Sequence, residues 1–257
     1  MIVNRVKHAL AEGRVQIGTS IGQFRSPEVL RIYAAAGFDW VFIDGEHGGF
    51  GIETIQDLCR ASNDTGLCPV VRVASMEYDL VARALDNGAM GVIFPRVESV
   101  ELLEQAVSWT KFPPVGIRGC GLGPTNIRYE KATIPQIIEH VNRETMVVLQ
   151  IETQKAVDMA DELLSVPGLD AVMVGPVDLS ISLGVPGDFM HPLMVDAMDK
   201  IRDACNRHGV APGTQTRNVA LAKFWHERGM LFLGCSSDTG MLFEKAQEVA
   251  REISNKS

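Results

Sequence analysis

Met146-Val-Val-Leu-Gln-Ile-Glu152, Lys155-Ala-Val-Asp-Met-Ala-Asp-Glu-Leu-Leu164 and Leu169-Asp-Ala-Val-Met-Val-Gly-Pro-Val-Asp178 decide how this chain folds. The outer two stretches are short apolar runs rich in Val, the pattern of strands buried on both faces. The middle one has helical spacing of its apolar residues. Strand, helix, strand means parallel strands, so Glu152 and Asp178 leave the sheet at the same edge. Two carboxylates brought together there repel unless a cation lies between them. They form a candidate site for a hard cation of the magnesium or manganese kind.

The same unit recurs outward in both directions. Apolar runs at Val15–Ser20, Phe38–Asp44, Pro69–Ala74, Met90–Pro95, Met146–Glu152, Leu169–Val174, Val210–Thr216 and Met230–Ser236 predict eight strands. Gly37, Gly66, Gly88, Gly209 and Gly229 fall where helix C-caps are expected, and Ser26-Pro27-Glu28 reads as a helix start. Eight strand–helix units in 257 residues have the rhythm of an α/β (β/α)8 TIM barrel, here one domain over 1–257, preceded by a short N-terminal helix. An open doubly wound sheet would want fewer strands and a Gly-rich first turn. Residues 112–133 are the one long irregular stretch, and a loop of that length is usually functional.

Composition sets outer limits. The chain is 46% hydrophobic and 22% charged, with a net charge of −8 and dispersed Lys and Arg, which argues against nucleic acid. Five Cys with no paired spacing suggest reduced thiols, and the N-terminal stretch lacks a signal-peptide core, so a cytoplasmic location is expected and no membrane span.

Active sites of such barrels lie at the C-terminal ends of the strands. Those ends carry Asp44, Glu46 and His47, then Arg72, Arg96 and Glu98, then Gln150 and Glu152, then Asp178, Gln215, Arg217 and Asp238. In Asp44-Gly-Glu-His47 a carboxylate can fix the tautomer of a neighbouring imidazole for acid–base work. Alone, the tetrapeptide fits a helix-capping loop equally well; beside a rim of acids and arginines, catalysis is favoured. Arg72 sits inside the apolar strand Pro69-Val-Val-Arg-Val73 and must reach a carboxylate, the protein's own or a ligand's. Gly175-Pro-Val-Asp-Leu-Ser180 turns into a helix whose N–H groups could hold an anion, or Asp178 could simply cap it. The lysines, among them Lys7, Lys111, Lys131, Lys200, Lys223, Lys245 and Lys256, fall away from the strand ends, and only Lys155 is near. A Schiff-base mechanism is therefore disfavoured. Gly119-Cys-Gly-Leu-Gly123 lacks a strand–helix context and reads as a flexible loop. On the last helix, the stripe Met241, Leu242, Phe243, Ala246, Val249, Ala250, Ile253 reads most simply as core packing, with a contact between subunits as the alternative.

Five motifs in order, Gly37-Phe-Asp-Trp-Val-Phe-Ile-Asp-Gly-Glu-His47, Val70-Val-Arg-Val73, Pro114-Val-Gly-Ile-Arg-Gly119, Gln150-Ile-Glu-Thr153 and Gly175-Pro-Val-Asp-Leu-Ser180, resemble the HpcH/HpaI aldolase family. The similarity runs from about Gln16 through the last helix. It implies a metal-dependent (class II) aldolase that reversibly cleaves a 4-hydroxy-2-oxo acid to pyruvate and an aldehyde through a metal-stabilised enolate. It implies Glu152 and Asp178 as ligands of Mg2+, Mn2+ or Co2+, and Arg72 and Gln150 beside the pyruvyl group. The carboxylate would be received by the backbone at Val177 and Asp178, with His47 and Asp44 as the acid–base pair. It also implies a homo-oligomer, typically a hexamer exchanging the C-terminal helix. Related chemistries kept open are an oxaloacetate decarboxylase, an acyl-CoA lyase and a non-catalytic 2-oxo acid binding protein. Ser20, Gly213-Thr-Gln-Thr-Arg217 and Leu122-Gly-Pro-Thr-Asn-Ile-Arg128 depart from the family pattern and are expected to line the aldehyde half of the pocket.

Overall fold

Eight parallel strands close on themselves in chain order in the computed structural model, which describes residues 1–121 and 127–254. The strands are β1 (Gln16–Ile21), β2 (Trp40–Asp44), β3 (Cys68–Arg72), β4 (Gly91–Phe94), β5 (Met146–Ile151), β6 (Ala171–Val174), β7 (Gly213–Thr216) and β8 (Phe232–Ser237). Each pairs with its neighbour, and β8 returns to β1. This is the (β/α)8 barrel expected from the sequence, with all eight strands where the apolar runs lie. Several start later than the runs do. β7 begins at Gly213 because Pro212 has no N–H for the ladder, leaving only an isolated bridge from Ala211 to Ala171. The segment after β5 is two short helices, Gln154–Asp158 and Ala160–Leu164, where one was expected.

Side-chain alternation along the strands explains how one sheet supplies both a core and a site. Trp40 and Phe42, Cys68 and Val70, Met146 and Val148, and Ala171 and Met173 point inward and fill the barrel axis. Trp40 and Phe232 stack there with ring centroids 4.0 Å apart. Gly18 and Gly234 leave room for this stack; a Cβ at Gly18 would overlap the Trp40 ring. The intervening residues face outward and form the larger core beneath the helices. Continuing the inward series by two residues reaches Asp44, Arg72 and Gln150, so the axis turns from apolar to polar at its C-terminal mouth.

The opposite mouth is closed by the N-terminal helix, Arg5–Ala11, through Val6 and Leu10. Asn4 caps that helix and also donates to Met90 O and Glu144 O, each at 3.1 Å. Gly37, Gly66 and Gly209 end their helices in the left-handed conformation, which an L side chain adopts only at a cost. The last helix, Asp238–Ser254, corrects most of the core-packing reading of its stripe: Met241 packs against the core, but Leu242, Phe243, Ala246, Val249, Ala250 and Ile253 are exposed, Phe243 at 62%. Among the described residues no helix is long and apolar enough to cross a membrane.

Candidate active site

The polar mouth opens into a cleft of about 710 Å³ lined by, among others, Phe42, His47, Arg72, Gln150, Val177 and Asp178. Strand register builds its first ion pair. Asp44 lies directly beside Arg72 across β2 and β3. The guanidinium grips the carboxylate with two parallel bonds, Nε to Oδ1 at 3.0 Å and Nη2 to Oδ2 at 2.7 Å. Burial works to raise the Asp44 carboxyl, but Arg72 and the N–H groups of His47 and Glu46 outweigh it and hold the group below the usual range. A further contact, Arg72 Nη1 to Glu46 Oε2 at 3.1 Å, lacks hydrogen-bond alignment and is electrostatic.

Both readings of Arg72 are thus partly met: it pairs with the protein's own acids and also lines the cleft. The expected pairing of Asp44 with the His47 ring is not present. Asp44 Oδ1 accepts the main-chain N–H of Glu46 and of His47, each at 3.1 Å, so it shapes the turn and leaves the imidazole alone. The ring is 58% exposed, with Nε2 3.9 Å from Glu46 Oε2.

On the facing strands, Glu152 is 3% exposed. Its Oε1 accepts from Arg96 N at 2.9 Å and its Oε2 from Gln150 Nε2. Burial pushes its carboxyl up; Asp178 and Glu46 push the same way, and the two hydrogen bonds only partly offset them. Asp178 lies in the first turn of Pro176–Ser182, and its side chain makes no capping bond, which removes the capping alternative. Gly175 is the cradle between them: a Cβ there would meet Glu152 Oε2 at 2.8 Å and Gln150 Nε2 at 3.0 Å.

Among the described residues no three His, Cys, Asp or Glu side chains converge as a ready-made cage. Two carboxylates with no protein cation bonded by its side chain to either oxygen of Glu152 nevertheless fit a hard divalent ion, which commonly takes one or two carboxylates and fills its remaining positions with water or substrate oxygens. Gln150 Oε1 is a second open feature, a buried acceptor without a hydrogen-bond partner.

The far half of the cleft is polar. Ser20, Gln215, Thr216 and Arg217 line it as expected, joined by Ser236, Ser237 and Glu244. Arg128 does not; it bonds to Asn63 O on the outer face of the barrel, and residues 122–126 of that motif, like the end of Gly119–Gly123, lie outside the described residues. The described part of the irregular stretch is mostly exposed and is anchored to the barrel wall by Arg118, buried against Asp86 at 2.6 Å and over the Phe112 ring. Ser236 was not singled out by its sequence. It holds φ of 59° where β8 carries an extra residue against β1, and its carbonyl accepts from both Ser20 Oγ and Gln215 Nε2. Such a bulge re-aims side chains beside a site, and only the inward positions of Ser20 and Gln215 could have hinted at it.

A closed parallel barrel with ionisable groups gathered at the C-terminal ends of its strands has the layout of a barrel enzyme. The chain belongs to the HpcH/HpaI aldolase/citrate lyase family, whose profile matches residues 23–244, and is an enzyme of the aldolase/lyase kind. It is 35% identical over 248 residues, 96% of this chain and 93% of the relative, to a 4-hydroxy-2-oxo-heptane-1,7-dioate aldolase of Salmonella arizonae. The crystal structure of an HpcH/HpaI aldolase from Desulfitobacterium hafniense DCB-2 superposes with a TM-score of 0.92 at 32% identity, covering 98% of this chain and 97% of the other. The citrate synthase SbnG superposes with a TM-score of 0.85 at 26% identity, covering 97% and 98%.

Proposed function

We propose that this protein is a divalent-metal-dependent aldolase that reversibly cleaves a 4-hydroxy-2-oxo acid to pyruvate and an aldehyde. The observation that carries the reading is Glu152: a buried carboxylate crowded by Asp178 and Glu46, within reach of a cleft that presents Arg72 and His47. Glu152 and Asp178 would hold Mg2+, Mn2+ or Co2+. When bound, such an ion supplies a Lewis acid for the carboxylate and carbonyl oxygens of a 2-oxo acid.

The chain's own residues do the rest. The N–H groups of Val177 and Asp178 belong to the first helical turn, have no partner within the helix, and can donate to the substrate carboxylate. Gln150 Oε1 offers an acceptor beside it. His47, exposed at the mouth, takes the C4 hydroxyl proton through a water molecule. As C4 becomes a carbonyl, the C3–C4 electron pair moves toward the C2 oxygen. Asp44 takes only two of the five Arg72 donors, so the guanidinium still has N–H groups for the charge developing there. Protonation at C3 gives pyruvate. The polar far half supports a hydrophilic aldehyde. The exposed apolar face of the last helix supports assembly with further copies of the chain.

The test needs no knowledge of the aldehyde. In D2O with Mn2+ or Mg2+, the pyruvate methyl protons should exchange with solvent, as followed by NMR. Exchange should stop with a chelator and fall at least about a thousandfold in Glu152→Ala. Near-wild-type exchange in that variant would sink the assignment.

A further inference from the structure

Arg96 touches both halves of the site. It follows β4 through Pro95 and holds φ of 54°, a left-handed conformation that costs any residue with a Cβ. That conformation brings its main-chain N–H to Glu152 Oε1 at 2.9 Å. Its side chain turns the other way, with Nε 3.1 Å from Glu46 Oε1, while Glu46 Oε2 faces Arg72 Nη1. The guanidinium is 62% exposed and is also attracted by Glu152 and Asp178.

We propose that Arg96 is a positioning residue that couples the two halves of the site: its main chain aims Glu152, and its guanidinium steadies Glu46 against Arg72 while competing with a divalent ion for the acidic rim. The inference rests on the metal reading given above. A residue that merely supports the fold would weaken everything when removed. Arg96 should not, because its charge opposes the ion while its grip on Glu46 helps Arg72. Removing the side chain should therefore tighten metal binding and loosen pyruvate binding.

Mn2+ binding by calorimetry, without substrate, and the pyruvate KM in the exchange assay are the two readouts. In Arg96→Met the Mn2+ Kd should fall about three- to tenfold, the size of one nearby charge in a partly solvated site. The pyruvate KM should rise several-fold. Arg96→Lys should return the Mn2+ Kd toward wild type by restoring the charge. Arg96→Gly, free of backbone strain and still able to donate its N–H, should show the same Mn2+ shift, and it decides the matter if the Met variant does not fold. Unchanged or weaker Mn2+ binding in both neutral variants overturns the proposal. Failure of the wild-type protein to bind Mn2+ in a manner that Glu152→Ala removes would instead overturn the metal reading, and this inference with it.

Discussion

Glu144 and Glu152 are equally buried, 3% exposed each, at opposite ends of the same barrel. Burial raises both carboxyls, yet they end on opposite sides of the ordinary range. At the closed end, Glu144 Oε2 accepts from Asn4 N and lies beside His8, both at 2.9 Å, and Oε1 accepts from Arg143 at 2.8 Å. These partners bring its pKa down to about 2 despite desolvation. At the open end, Glu152 has two hydrogen bonds but neighbours of its own sign, and it is pushed up. Depth fixes how strongly a charge is felt, and the company it keeps fixes the sign. The N-terminal end spends its ionisable groups on holding the first helix in place. The C-terminal end sets Glu152 among acids of its own sign.

Three substitutions probe that contrast, from the largest effect to the smallest. Arg72→Ala removes the guanidinium that grips Asp44 and faces Glu46 at the open end. It should cost roughly 3 to 4 kcal/mol of transition-state stabilisation, read as the loss of kcat/KM in pyruvate methyl exchange. At the closed end, Glu144→Gln should leave the exchange rate unchanged and lower stability to urea by about 3 kcal/mol at most near pH 7. The sign follows from the depressed pKa: the stabilisation is complete above the ordinary value of 4.5 and disappears as pH falls from there toward about 2. The two proteins should therefore converge in stability in acid, and a difference that persisted there would contradict the charge-based account. Gly175→Ala places a methyl group against Glu152 Oε2 and Gln150 Nε2. It should weaken Mn2+ binding about tenfold by calorimetry, the usual scale for disturbing the surroundings of a ligand.

Much of this was legible in the sequence because it depends on short-range regularities. Eight Val-rich runs, the glycines that stop helices, and two acids on consecutive parallel strands each carry their meaning within a few residues. Pairing across the barrel does not. Asp44 meets Arg72 because β2 and β3 pair in one register out of several that their apolar pattern allows. The tetrapeptide Asp44–His47 suggested a carboxylate and imidazole in contact, and the register gave the carboxylate to arginine instead. The last helix failed for a different reason. An apolar stripe records that a face is to be covered but not by what, and among the described residues Phe243 stays 62% exposed. Ser236 had no local signal, since its left-handed backbone comes from closing β8 onto β1 with one residue to spare.

The filled barrel axis also governs traffic. Trp40, Phe232 and Met146 plug the interior, and the first helix seals the far end through Val6 and Leu10, so the cleft is a blind alley. Whatever enters must leave by the same mouth. Under the proposed aldolase reaction, the fragment held nearest the strand ends would be first in and last out, and the polar vestibule formed by Ser20, Gln215 and Arg217 would be crossed twice in every turnover.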